Sequence, residues 1–187
     1  MEIMTFRQSD LPAVLAARVV ALEAREWPDS ATSDALSHDP ALNPVYVVLL
    51  DDDTVVASLA ILSKELTHCG LGFSASGLSA VVTDPLRRGR GCGGRIVTAG
   101  REFIERSGAD LGIFTCRAAL VDFYESCGWI VLPGTVLVGG TVDAPFPSDQ
   151  LGGLTMAAFF TPRARRHANL FEHARVELYP GTIDKLW

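Results

Sequence analysis

From Leu78 to Ile104 the chain reads LSAVVT, then DPLRRGRGCGGR, then IVTAGREFI. Gly89, Gly91 and Gly93 let the backbone take positive φ and approach a ligand with no Cβ in the way. Ile96, Val97, Phe103 and Ile104 follow at helical spacing, so the free amides of a first helical turn and the positive end of its dipole face the same point. Arg87, Arg88 and Arg90 add cationic charge. The pattern suits an anion such as a diphosphate, held by backbone amides at a strand-to-helix turn.

Other chemistries fit less well. A P-loop needs Lys-Ser or Lys-Thr after its glycines, and neither follows here. Gly89, Gly91 and Gly94 match a dinucleotide-binding turn, but the next apolar run, Leu111 to Thr115, leads into Cys116 where a ribose-binding carboxylate belongs. Cys69, Cys92, Cys116 and Cys127 include no C-x-x-C pair, and His38, His68, His167 and His173 show no ligand spacing with them, so no metal site is expected. A disulfide framework is not expected in a chain with so large a core. With 187 residues, 48% of them hydrophobic, the chain can bury a single sizeable core. No apolar run reaches membrane-spanning length and no signal-like leader opens the sequence, so the reading is a cytoplasmic protein without a membrane partner. A net charge of −6 speaks against nucleic acid and suits a cationic small molecule.

The elements that must position this turn follow in chain order. Glu2 to Arg7 reads as a strand, and Ser9 and Pro12 as the cap and first turn of a helix that Pro28 stops. Asp29 to Pro44 is a polar loop, in which Asp29, Asp34 and Asp39 are candidates for contact with a cation. Val45 to Leu50 and Thr54 to Leu62 form a hairpin. His68 to Gly77 reads as another turn or an irregular lead-in to the strand Leu78 to Thr83, where Ser79, Val81 and Thr83 should share one face by the period of two. Later strands are expected at Leu111 to Thr115, Trp129 to Val138 and Leu154 to Phe160, with a short helix from Arg117 to Ser126 and a long loop from Gly139 to Gly153. The tail beyond Pro162 is basic and reads as solvated surface.

The segment Val81 to Gly93 resembles the coenzyme A motif of the GCN5-related N-acetyltransferase (GNAT) superfamily, Arg/Gln-x-x-Gly-x-Gly/Ala. Ala118 to Trp129, with Tyr124 followed by Gly128-Trp129, is similar to the family's later motif. The two blocks together cover roughly residues 45 to 135. The resemblance implies an α/β (α+β) GNAT fold: a central mixed, mostly antiparallel sheet with splayed middle strands, flanked by helices. It also implies one domain over residues 1–187, with residues 162–187 a tail within reach of the active site, and a homodimer as an option.

By the same resemblance acetyl-CoA is the cosubstrate, and no metal is called for. Arg88, Gly89, Arg90, Gly91, Cys92 and Gly93 would hold its diphosphate, and Val81, Val82 and Thr83 its pantetheine arm. Tyr124 would donate to the departing sulfur. Many relatives carry a glutamate on the strand entering the motif, where this chain has Leu78-Ser79-Ala80. Either a water held by Ser79 relays the amine's proton, or a carboxylate arrives from elsewhere. The terminal Asp184 to Trp187 segment is similar to the ending of the aminoglycoside 2'-N-acetyltransferases, which makes the Trp187 carboxylate a catalytic candidate and Asp184 and Asp34 substrate contacts. The activity implied is acetyl transfer to a primary amine of a small cationic acceptor, aminoglycosides included. The alternatives are an acyl-CoA-binding regulatory module without turnover, and acetylation of a protein or peptide amine.

Overall fold

The computed structural model describes residues 1–28, 36, 38–183 and 186. Asp29, Asp34, Asp184 and Trp187, all singled out from the sequence, lie outside the described residues. The strands are β1 (Glu2–Arg7), β2 (Val45–Asp51), β3 (Thr54–His68), β4 (Leu71–Thr83), β5 (Leu111–Arg117), β6 (Ile130–Val131), β7 (Val136–Gly140), β8 (Pro145–Pro147), β9 (Gly153–Phe159) and β10 (Arg175–Glu177). The helices are α1 (Ala13–Glu26), α2 (Cys92–Arg106), α3 (Val121–Ser126) and α4 (Pro162–Arg166).

Seven strands form the main sheet in the order β1-β2-β3-β4-β5-β9-β6, and β10-β7-β8 form a small second sheet. In the main sheet only β4 and β5 run parallel, and every other neighbouring pair is antiparallel. β2 and β3 are rich in Val and Leu, the residues that pack on a pleated surface, and both are largely buried.

α2 covers one face, since a Cβ on Gly100 would lie 3.4 Å from the Leu59 methyls and 3.5 Å from Leu78 Cδ2. α1 covers the other, with Val19 and Leu22 in the core. Ser9 does not cap α1. It sits in a 3-10 turn over Gln8–Asp10, and α1 begins after Pro12, whose ring already sets φ for a helix start.

Three expectations fail in instructive ways. Of the two readings of His68 to Gly77, the turn holds at Cys69–Gly70 and the irregular lead-in does not. β3 runs on to His68, Cys69 (φ 49°) and Gly70 (φ 75°) make a two-residue turn, and β4 returns from Leu71 with Ser74, Ala75, Ser76 and Gly77 all paired to β3. Two successive positive φ values match the right-handed strand twist, and the small residues that suggested a loop are strand residues in a long hairpin. Trp129 to Val138 is not one interrupted strand, because Pro133-Gly134 divides it into β6 in the main sheet and β7 in the small one. The segment Gly139 to Gly153 contains β8 and a 3-10 turn at Ser148–Leu151.

The tail is not simply solvated surface. Phe171, Val176 and Leu178 are buried in or against the core, and Lys64 on β3 donates to the carbonyls of Leu178, Pro180 (3.4 Å) and Thr182 (2.9 Å). Burial lowers the pKa of this ammonium below its ordinary value.

One packing detail fixes how β5 meets α3. A Cβ on Gly112 would lie 2.6 Å from Trp129 Cζ3 and 2.7 Å from Cη2, and Trp129 is fully buried with its ring edge-on to Phe114 at 4.8 Å. Gly112→Ala is therefore expected to cost about 2 kcal/mol, because a packed indole has nowhere to go. Thermal unfolding should register a drop of about 5 °C.

Candidate active site

β4 and β5 pair only at Ala75–Leu111 and Ser76–Gly112. Beyond these pairs β4 stays with β3 and β5 stays with β9, so the parallel strands part and leave a wedge whose far wall is β5 from Ile113 to Arg117. Asp84 N donates to Val56 O on β3 at 2.9 Å. Backbone groups alternate along a strand, so Thr83 and Val81 turn theirs away from β3 and into the wedge. Val82 turns the other way: its side chain is buried and it pairs with Ser58.

The period of two expected for Leu78 to Thr83 is broken. Ala80 takes φ 47°, and Ala80 and Val81 together oppose Leu59 of β3, which is a β-bulge. Ser79, paired with Ala60, therefore shares the α1 face with Val82, while Thr83, paired with Ala57, faces α2. Ser79 and Thr83 were expected on one side and stand on opposite sides. The half-buried Ser79 side chain makes no hydrogen bond to a described residue.

At the mouth of the wedge the glycine-rich turn does what its composition suggests. Gly89 (φ 73°) and Gly91 (φ 76°) take the left-handed conformation, and Gly91 caps α2. Arg87 N bonds Asp84 O and Arg95 N bonds Gly91 O, but among the described residues the amides of Gly89 through Gly94 have no backbone acceptor. Six donors thus sit together at the N-terminus of a four-turn helix.

The arginines divide their work. Arg87 pairs with Asp51 at 2.8 Å. Arg88 bridges Glu26 on α1 and the carbonyl of Thr83 (3.3 Å), so its guanidinium ties α1 to the end of β4 and already occupies that carbonyl. Arg90 is exposed and makes no ion pair with a described residue, leaving its charge available at the mouth. The Cys92 side chain is buried in the core, and only its backbone faces the turn.

Tyr124 stands across this opening. A Cβ on Gly93 would lie 3.1 Å from Thr83 Oγ1 and 3.4 Å from Phe123 Cζ, so the end of β4, the first turn of α2 and α3 converge within one side-chain layer. The Tyr124 ring meets Phe123 at 5.0 Å and Phe114 of β5 at 4.9 Å, both edge-on. Its hydroxyl bonds no described residue. Burial first, then the neighbouring Cys116 and Cys127 thiols, hold the phenol well above its ordinary pKa, so it stays protonated at any physiological pH. Burial likewise pushes up the Cys116 thiol.

A residue that the sequence reading passed over stands on the α1 face. Glu23 is largely buried, and its carboxyl is pushed up to about 7 by that burial, against the opposing influence of His38. The signal was present in the sequence: Glu23 follows Val19 by four and Leu22 by one, on the stripe that α1 turns inward. A carboxyl raised in this way stabilises the fold while protonated. That contribution is complete below about pH 4.5 and is lost as pH rises through about 7. Glu23→Gln should therefore gain stability relative to the parent between pH 5 and pH 8, by up to about 3 kcal/mol, read as diverging melting temperatures.

Asp39 caps the 3-10 turn at Pro40–Leu42 through the amide of Ala41 at 2.8 Å, so its carboxylate is occupied locally. Among the described residues no cluster of His, Cys, Asp and Glu could hold a metal ion, and no helix is long and apolar enough to cross a membrane.

Known proteins now give this geometry its context. Residues 2–132 match the family model described as an acetyltransferase (GNAT) domain. No curated protein sequence matches the chain. Among solved structures, Escherichia coli ElaA is similar at 19% identity and a TM-score of 0.59, over 84% of this chain and 99% of that one. An aminoglycoside 6'-N-acetyltransferase complexed with coenzyme A is similar at 17% identity and a TM-score of 0.60, over 87% and 99%. The aminoglycoside 6'-N-acetyltransferase from Enterococcus faecium is similar at 16% identity and a TM-score of 0.59, over 87% and 99%. These two named aminoglycoside enzymes act at the 6' position, whereas the terminal segment was read by its likeness to the 2' class. At such identities the structures speak for the fold, while the family model spans well over half of the chain. The splayed strands, the amide-rich turn and that match agree: the chain belongs to the GNAT family of acetyltransferases.

Proposed function

We propose that this protein transfers the acetyl group of acetyl-CoA to a primary amine of a small cationic acceptor. The observation that carries the reading is the row of unpartnered amides from Gly89 to Gly94 at the mouth of the β4–β5 wedge. Gly89 to Gly91 are exposed and Cys92 to Gly94 are buried or half-buried, and free amides gathered at a helix N-terminus suit an anion. With the diphosphate there, the backbone groups of Val81 and the amide of Thr83 would pair with the amide groups of the pantetheine arm, and the thioester would lie toward Ala80 and Tyr124.

The chemistry then follows from the residues present. The amine nitrogen attacks the acetyl carbon, the carbon–sulfur bond breaks, and negative charge collects on sulfur. A reference thiol has a pKa near 8.5 and a phenol near 10, so full proton transfer from Tyr124, raised further by burial, runs uphill. Its role is to donate a hydrogen bond to the developing thiolate while the sulfur takes its final proton through solvent. The acceptor would approach over the α1 face, where Ser79 is half-buried and the tail is tied down by Lys64.

The test is isothermal titration with acetyl-CoA, followed by thiol release with a panel of amines. Aminoglycosides belong in the panel because two of the similar structures are named for them, together with polyamines and a peptide amine. Saturable coenzyme binding with amine-dependent thiol release is expected, and no binding at millimolar coenzyme would overturn the reading. A second reading, coenzyme binding without turnover, is favoured by one feature: β4 carries no carboxylate. It would be indicated by tight binding with no thiol release for any amine.

A further inference from the structure

On that reading of the site, we infer that the Glu23 carboxylate is the group that takes the proton from the attacking amine. α1 lies on the sheet through Leu15, Ala16, Val19 and Leu22, and Glu23 occupies the next inward position, where a helix of this kind carries an apolar residue. Its Oε1 is buried and has no hydrogen-bond partner among the described residues. On the same face of the sheet, Ser58 Oγ is also fully buried without a partner. Orphaned polar groups of this kind are rare in a folded protein, and two on one face mark room for a water or a polar ligand.

The placement of α1 ties this slot to the coenzyme turn. Its last turn is fastened to the end of β4 by Arg25–Asp84 at 3.8 Å and by Glu26–Arg88. Glu23 sits one turn earlier, over the strands that carry Ser58, Ala60 and, by the pairing of Ala60, Ser79 beside the Ala80 bulge. The bulge lies on the stretch of β4 that has already left β5, four residues beyond Ser76, so a carboxylate from α1 meets the wedge from the side opposite α2. The strand position that lacks a carboxylate is thereby served from a helix.

The protons balance simply. An alkylammonium acceptor gives one proton to Glu23, and its freed lone pair forms the carbon–nitrogen bond. The nitrogen then sheds a second proton, the thiolate leaves and gains one, and the net product of transfer at neutral pH is one proton released to solvent. A carboxyl titrating near neutrality is matched to this task. The charged groups around it are His38 before β2, the two ion pairs at the end of α1, and Lys64 farther along the same sheet face. Tyr46 on β2 is the neighbouring phenol.

The experiment compares the parent, Glu23→Gln and Glu23→Asp in the full chain. Infrared difference titration of the coenzyme-free protein should show a protonated carboxyl that disappears near pH 7 in the parent and is missing in Glu23→Gln. With an accepted amine, parent log kcat/KM should steepen by one proton below pH 7. Glu23→Gln should lose that inflection and about 100-fold in rate at pH 7, recovering toward pH 10 where the amine deprotonates unaided. Its acetyl-CoA Kd should be unchanged, and Glu23→Asp should keep an inflection at reduced rate. A carboxyl that titrates in the ordinary range, or an unaltered profile in an active Glu23→Gln, overturns the inference alone. A parent that binds acetyl-CoA and acetylates no amine overturns the transfer reading and this inference with it.

Discussion

Tyr124→Phe should lower kcat by about 100-fold or more while leaving the dissociation constant for acetyl-CoA within a factor of about two. The ring is held by Phe114 and Phe123 and stays in place when the hydroxyl is removed. Deleting a hydroxyl that bonds no described residue leaves no protein group newly orphaned, so the fold should not suffer. What would disappear, on the proposed mechanism, is the donor to the leaving sulfur. An interaction made mainly as charge develops is lost from kcat and not from binding. A thioester whose thiol has a lower pKa should restore much of the lost rate, because that leaving group needs the hydrogen bond less. Equal kcat in parent and variant would place the leaving-group donor elsewhere.

Gly93→Val is expected to raise the Kd for acetyl-CoA about 100-fold, a loss of about 2.7 kcal/mol. Its Cβ would press on Thr83 Oγ1 at 3.1 Å and on Phe123 at 3.4 Å, and on the proposed reading the two added methyl groups would crowd the coenzyme. The helix itself tolerates the change, since its φ is ordinary there and its first-turn amides need no partner within the chain. A modest fall in melting temperature with a large fall in affinity is the expected pair of results. Unchanged affinity, measured by isothermal titration on folded variant, would show that the channel does not pass between β4 and α3.

These effects depend on features of unequal visibility in the sequence. The glycine turn and α2 were legible because φ preference and helical periodicity are local properties: Gly89 and Gly91 carry the first, and Ile96, Val97, Phe103 and Ile104 the second. The β2–β3 hairpin was legible for the same reason: two apolar runs rich in β-branched residues are separated by Asp51-Asp52-Asp53. A turn within His68 to Gly77 was legible from its glycines, but the length of β4 was not, because Ser74 to Gly77 are small residues whose strand state comes from pairing with Leu62 to Glu65 across the sheet. Nothing nearby in sequence announces that pairing.

The bulge at Ala80 was invisible in another way. An alanine carries no bias toward positive φ, and the conformation appears only in the pairing with β3, where the register shifts between Ser58 and Ala60. That single residue reverses which side Ser79 faces, so the expected grouping of Ser79 with Thr83 failed. Glu23 was readable in principle as a carboxylate on an apolar stripe. It was passed over because attention rested on strand carboxylates, and burial is settled only when α1 lands on the sheet. Tyr124 was placed by its motif, but the Cys116 thiol that helps keep it protonated comes from a distant strand.

The backbone amides of Gly89, Gly91, Gly93 and Gly94 can be followed directly in amide-resolved nuclear magnetic resonance spectra. Titration with coenzyme A should move these four signals together and saturably, while pantetheine, which lacks the diphosphate, should leave them in place and move only residues along Val81 to Thr83. If coenzyme A binds by calorimetry and these amides stay still, the turn does not hold the diphosphate and the site lies somewhere else on the fold.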